Sequence, residues 1–197
     1  MPGYTYQKWR EADGQTVVGS WKELSEDGRA KYARAIARDV DCSRKAAVEI
    51  SRAIRGWPLQ DAIEYLEAVQ RKEIHVPYWQ HVRQITHRRT KVFKGQVTGQ
   101  SHRVHGPQGR YPVLAAKEFT RALRYAEAYA AERDLDTDNL KLEHVAAHLG
   151  QTHVGWMPRA HGRATEKKRH RINIEVVVRE DEGLAERANE ASSQREE

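Results

Sequence analysis

The side chains with the greatest chemical reach in this sequence are cationic. Between Gly150 and Arg171 stand Arg159, Arg163, Lys167, Lys168, Arg169 and Arg171 against one acid, Glu166, a net charge of +5. Guanidinium groups at Arg159 and Arg163 offer planar, bidentate forks for phosphate or for base edges. Lys167, Lys168, Arg169 and Arg171 read as phosphate clamps, which set position rather than read sequence. Trp156 offers a face for stacking on an unpaired base; the other reading packs it on its own segment's aliphatic surface. Gly155 and Gly162 allow close backbone approach or a turn, and Pro158 blocks regular pairing and stiffens the chain. A second basic stretch, from Arg71 to Arg110, has nine Lys and Arg against Glu73 alone. It contains Arg88, Arg89, Lys91, Lys94, Arg103 and Arg110, and reads either as a disordered basic linker or as a segment that packing into grooves of a folded RNA would order.

Other reactive types are present without a pattern that joins them. Ten histidines suggest a metal. His144 and His148 are four apart, but Val145 follows His144 where a zinc-protease helix needs Glu. On a strand the two would share a face about 13 Å apart, too far for one ion. His81, His87, His102 and His105 have no cysteine partners, so no metal is expected, and imidazoles packed against RNA or capping a sheet are the ordinary reading. The acids of 134–139 lack the Gly and distal Glu of a calcium loop and read as a solvated turn. Cys42 has no His and Asp at a recognisable spacing, and neither a nucleophile elbow nor a phosphate-cradling glycine loop occurs. No acid, base and nucleophile converge, so neither an enzyme nor a cofactor is expected.

These cations need elements to position them. Leu142 to Leu149 is a short, mostly apolar run, and Ile172, Ile174, Val176 and Val178 alternate on one face of a strand. Together, 140–179 reads as a long basic hairpin with arms of about 15 residues, or ~50 Å, against a radius of gyration of only ~15 Å for the body. It must fold back or project, and a lone ribbon poor in apolar residues is marginal in water. Ser43 caps a first helix with Ala46, Ala47, Ile50, Ala53 and Ile54 inward and Gly56 as its stop. Arg44 and Lys45 lie towards its outer side, as solvated surface or as a grip on phosphate. Pro58 opens a second helix, with Leu59, Ala62, Ile63, Leu66 and Val69 inward, and Pro112 a third, with Ala115, Ala116, Phe119, Ala122, Leu123 and Ala126 inward. Residues 30–40 conflict: the Ala-rich composition favours helix.

Residues 1–31 form an arm with Tyr4, Tyr6, Trp9 and Trp21 scattered through polar sequence. It is expected to be partly extended, and either disordered or ordered on RNA with its aromatics on bases or a neighbouring protein. Residues 180–197 carry seven acids and two arginines, a flexible acidic tail. Without the tail the net charge of +6 becomes +11, and the pI is near 9.5. The partner should be a polyanion, though charge alone does not separate RNA, DNA and anionic membrane. Hydrophobic content of 39% and a mean hydropathy of −0.87 still permit a modest core. There is no apolar run of ~18 residues for a membrane span and no apolar leader. The single cysteine excludes an internal disulfide and suits a reducing cytoplasm.

The run Met157-Pro158-Arg159-Ala160-His161-Gly162-Arg163-Ala164, followed by Ile174-Glu175-Val176-Val177-Val178, resembles the signature of the universal large-subunit ribosomal protein 22 family. Arg52-Ala53-Ile54-Arg55-Gly56, Ala62-Ile63-Glu64-Tyr65-Leu66 and His144-Val145-Ala146-Ala147-His148 follow the family's order, and Gly109-Arg110-Tyr111-Pro112-Val113 has the archaeal and eukaryotic form. The resemblance spans roughly Ala33 to Arg179. It implies an α+β fold: three helices on one face of a small antiparallel three-stranded sheet, with residues 32–40 as an edge strand. Within a domain at 32–179 it implies a basic insertion at 71–110 and a protruding hairpin at 140–179. It further implies a structural, non-catalytic role in the large ribosomal subunit, with ribosomal RNA and neighbouring ribosomal proteins as partners and no membrane or homo-oligomer. Arg44, Lys45, Arg88, Arg89, Lys91, Lys94, Arg103, Arg110, Tyr111, Arg159, Arg163, Lys167, Lys168, Arg169 and Arg171 are then the expected RNA contacts. Trp156, Met157, Pro158, Arg159, Ala160, His161, Gly162 and Arg163 are expected at the wall of the nascent-peptide tunnel, beside the nascent chain. The rivals are a free-standing nucleic-acid-binding regulator, which would bind a short duplex tightly, and a histidine-metal hydrolase, which would carry stoichiometric zinc.

Overall fold

The computed structural model describes residues 5–87, 92–95, 98–104, 108–181 and 183. Arg88, Arg89 and Lys91 of the basic stretch and the acids of the C-terminal segment after Asp181 lie outside them. The chain runs β1 (Trp9–Arg10), β2 (Val17–Val18), α1 (Glu26–Ala30), β3 (Tyr32–Val40), α2 (Arg44–Ile54) and α3 (Leu59–Gln70). There follow β4 (Val76–Pro77), β5 (Val92–Lys94), β6 (Ser101–Arg103), β7 (Gly109–Arg110), α4 (Val113–Ala131), β8 (Leu140–Pro158) and β9 (Ala164–Glu180).

Strands β3, β9 and β8 form an antiparallel sheet with β9 in the centre. The apolar alternation of β9 decides its two faces. Ile172, Ile174, Val176 and Val178 are buried under α2, α3 and α4 in one core with Ile50, Ile54, Leu66, Phe119 and Leu123. The fold is α+β with three helices on one face, as the resemblance implied. Pairing with β9 settles residues 32–40 as strand, because tertiary ladder bonds outweigh the weak helix propensity of the alanines. Ala33 and Ala35 are small enough to let α4 lie close over the edge strand.

Helix α2 stops where Gly56 enters the left-handed region at φ +83°. The turn after it closes the outer edge of the sheet. Gly56 N–H donates to Leu142 O at 2.8 Å, and Leu142 N–H to Trp57 O at 2.9 Å. This pairs the β8 edge at Leu142, a common guard against strand addition. Pro58 and Pro112 occupy the cap positions of α3 and α4, one residue before the helical position the sequence suggested. Ser43 takes the cap position of α2 without a side-chain bond.

The opposite face of the sheet is covered by the N-terminal segment, where the sequence suggested an arm either disordered or ordered by RNA or a neighbouring protein. Trp9, Leu24, Tyr32 and Val177 make a second, smaller core. Trp9 is only 1% exposed, edge-on to Tyr6, Trp21 and Tyr32. The segment lacks periodicity because single aromatics dock on a surface made elsewhere, with only the short α1 and the β1–β2 pair as regular structure.

Candidate nucleic-acid interface

Beyond the body, β8 and β9 continue as a two-stranded ribbon. They pair from Thr152↔His170 to Pro158↔Ala164, and every residue from 153 to 170 is exposed. Pro158 thus takes part in the pairing, contrary to the expectation that it blocks it, because it lies at the ribbon's outer end where a lost donor costs least. The tip closes through Arg159 N–H to Arg163 O at 2.8 Å, with His161 at φ 59° and Gly162 at φ +66°. Two successive left-handed residues make this reversal, which glycine adopts freely and histidine at a cost.

Register sorts the ribbon's cations. Residues directly opposite share a face. Val154 and Trp156 therefore lie with Lys168 and Glu166, and His153 and Gly155 with Arg169 and Lys167. One face therefore carries the surplus charge, Arg169 and Lys167, while on the other Lys168 is offset by Glu166. Trp156 stands 67% exposed instead of packed on aliphatic neighbours. Arg159 and Arg163 flank the tip. Lys168 reaches Glu166 at 3.1 Å across solvent-exposed positions, a weak tie. Arg171 differs from the others, because its guanidinium pairs with Asp41 at 3.0 Å where the ribbon leaves the body. At this neck Asp39 also accepts from Gln151 N–H at 3.2 Å and donates its own N–H to Asn173 Oδ1 at 2.9 Å. The root of the ribbon is fixed, and its distal part has only itself.

The basic stretch 71–110 is held to the body at defined points, where the sequence showed no period. The β4–β7 and β5–β6 pairs supply its regular structure, and Tyr78, Ile85, Phe93 and Val104 enter the main core. Asp61 on α3, fully buried, accepts from Thr98 Oγ1 and lies 2.7 Å from His102 Nε2. The His102 ring stacks on Trp57 with centroids 4.1 Å apart. On α2, the buried carboxylate of Glu49 accepts the N–H groups of Trp79, Gln80 and His81 at 3.0, 2.9 and 2.8 Å. Both acids were missed in the sequence. Their only signal was an acid beside an inward apolar stripe of a helix. Of the expected contacts here, Lys94 and Arg110 are exposed, as are Arg44 and Lys45 on α2, while Tyr111 is half-buried. Arg110 has a long bond to Gln84 O at 3.4 Å.

The histidines do not form the arrangement that spacing suggested. His144 and His148 lean towards each other over Glu175, at 3.8 and 3.3 Å, and both rings approach Thr5 Oγ1. Burial lowers the His144 pKa, Glu175 opposing and Arg55 and His148 assisting. Among the described residues no group of three His, Cys, Asp or Glu is placed to hold a metal ion. Burial pushes the Cys42 thiol up to about 11, so it stays protonated at neutral pH. No helix among the described residues is long and apolar enough to cross a membrane.

Comparison with known proteins agrees with this geometry. The family model described as ribosomal protein L22p/L17e matches residues 35–179. Similar proteins include the large ribosomal subunit protein uL22 of Methanopyrus kandleri, 43% identical over 81% of this chain and 91% of the relative. The protein of the same name from Ignicoccus hospitalis is 40% identical over 80% of this chain and 94% of its own. That of Methanocaldococcus jannaschii is 35% identical over 83% and 97%.

Proposed function

The chain belongs to the ribosomal protein L22p/L17e family, and from that premise we propose that it is a structural constituent of the large ribosomal subunit that binds its RNA. It is not an enzyme. The ribbon threads between RNA segments, with Arg159, Arg163, Lys167, Lys168 and Arg169 neutralising phosphates along it. Its tip, Trp156 to Arg163, contributes to the wall of the nascent-polypeptide tunnel, while the body stays at the subunit surface among neighbouring ribosomal proteins. Lys94, Arg103, Arg110 and Tyr111 of the insertion and Arg44 and Lys45 of α2 add contacts from the body. By holding distant RNA segments together, the protein supports assembly of the subunit.

The observation that carries this reading is the ribbon itself. Its distal part buries nothing, carries five Lys and Arg against the single acid Glu166 and is paired only within itself. A two-stranded ribbon is marginal alone in water, and like charges crowd along this one, so an enclosing polyanion is the physical complement. The experiment is cosedimentation of the tagged full chain with large-subunit particles at high magnesium. Stoichiometric association that resists competition by short duplex RNA is expected. Tight binding to an isolated duplex, with no association with particles, would instead identify a free-standing regulator and overturn the proposal.

A further inference from the structure

One surface outside the ribbon is organised beyond what folding needs. Trp79 is 52% exposed, yet its backbone is pinned by the buried Glu49 carboxylate through three consecutive N–H groups. Carboxylate bonds to backbone N–H groups are charge-assisted and among the stronger ones available. The protein therefore immobilises a segment whose large indole stays in the open. Beside it lies a cleft of about 390 Å³ between α2, the start of α3 and the 77–79 segment. Trp79 and Trp57 contribute aromatic surface to it, and Arg52 and Arg55 contribute two cations, with no carboxylate among the described residues that line it. Trp57 is already backed by His102, and Arg55 is oriented by its bond to Val145 O at 2.8 Å. An open indole, two guanidinium groups and no negative charge suit a planar ring that carries a phosphate.

We propose that Trp79, flanked by Arg52 and Arg55, is a stacking platform for one unpaired RNA nucleotide, its base on the indole and its phosphate between the arginines. This rests on the reading of the chain as an RNA-binding ribosomal protein, and it adds a single-strand contact distant from the ribbon. Specific contact with folded RNA commonly uses such splayed bases on aromatic side chains. The pinned backbone lowers the ordering cost of capture, since the platform exists before the nucleotide arrives.

The test uses the full chain with two probes, a short single-stranded oligoadenylate and an A-form duplex of equal length. Trp79→Ala should weaken single-strand binding by roughly 5- to 150-fold, the range found for loss of one base–aromatic stack, and leave duplex binding unchanged. Trp79→Phe should keep most of the single-strand affinity. Arg52→Gln should lower it with a shallower salt dependence. Unaltered circular dichroism and melting of Trp79→Ala would show that its effect is local. The platform is overturned if Trp79→Ala binds the single strand as well as the parent, or if Trp79→Phe loses as much as Trp79→Ala. Failure of the parent chain to bind either RNA or to associate with large-subunit particles would sink the ribosomal reading as well. Normal particle association with an inert Trp79 would sink the platform alone.

Discussion

Glu49 and His144 show how single side chains set local behaviour in this protein. Glu49 is buried, and its bonds to three N–H groups hold residues 79–81. Glu49→Gln removes the charge and turns part of the acceptor into a donor. Since bonds to charged groups contribute about 1.5–3 kcal/mol each, the segment should open locally. Amide hydrogen exchange of residues 79–81 should accelerate while that of the β9 core stays slow; unchanged exchange would mean the carboxylate is not the clasp. His144 supplies a pH dependence. Burial depresses its folded-state pKa below the ordinary imidazole value of 6.5, so the folded chain binds fewer protons than the unfolded one between the two values. Its contribution is therefore fully present above about 6.5 and is lost as pH falls through the lower folded-state pKa. Denaturant midpoints measured from pH 7.5 down to about 4.5 should fall, and His144→Asn should flatten that fall. Glu175, His148 and Arg55 face the ring.

At the scale of elements, the ribbon and the helices were legible from the sequence and the insertion was not. Period-2 alternation in β9 and the apolar stripes of α2, α3 and α4 each lie within one element, where a window of sequence contains the whole signal. The insertion's anchors join residues about forty positions apart, as Asp61 does with Thr98 and His102, and no local window holds such a pair. The neck at Asp39, Gln151 and Asn173 was illegible for the same reason. The division at that neck predicts that the ribbon adds little to stability. Replacing residues 153–169 with a short Asn-Gly turn should leave the melting temperature nearly unchanged, because none of those residues is buried. The same variant should lose association with large-subunit particles. A finer change makes the electrostatic point. Arg159→Ala with Arg163→Ala should flatten the log–log salt dependence of RNA association by ~1–2 units, at ~0.7–0.9 per phosphate contact. An unaltered slope would remove both arginines from the set of phosphate contacts.

For the whole molecule, the sheet has two covered faces, and the second cover comes from outside the span matched by the family model, which begins at residue 35. Sequence alone left residues 1–31 as an arm, either disordered or ordered by RNA or a neighbouring protein, since its aromatics are isolated along the chain. They are isolated because their partners are Tyr32 and Val177 on the sheet, and Arg34, whose guanidinium lies 3.7 Å from the Trp21 ring centroid. Thr5 and Tyr6 extend the cover by bonding Glu175 and Glu143. If the segment belongs to the body, removing its deepest side chain must destabilise the free protein. Trp9→Ala should cost about 3–5 kcal/mol, as large aromatic truncations in cores do. For a domain of this length that lowers the melting temperature by roughly 6–20 °C. The measurement is thermal unfolding of RNA-free full chain, followed by near-ultraviolet dichroism, where the ring cluster of Tyr6, Trp9, Trp21 and Tyr32 should also lose signal. An unchanged melting temperature with an intact dichroic band would return the segment to the status of an arm, and the sheet's second face would then be free for RNA.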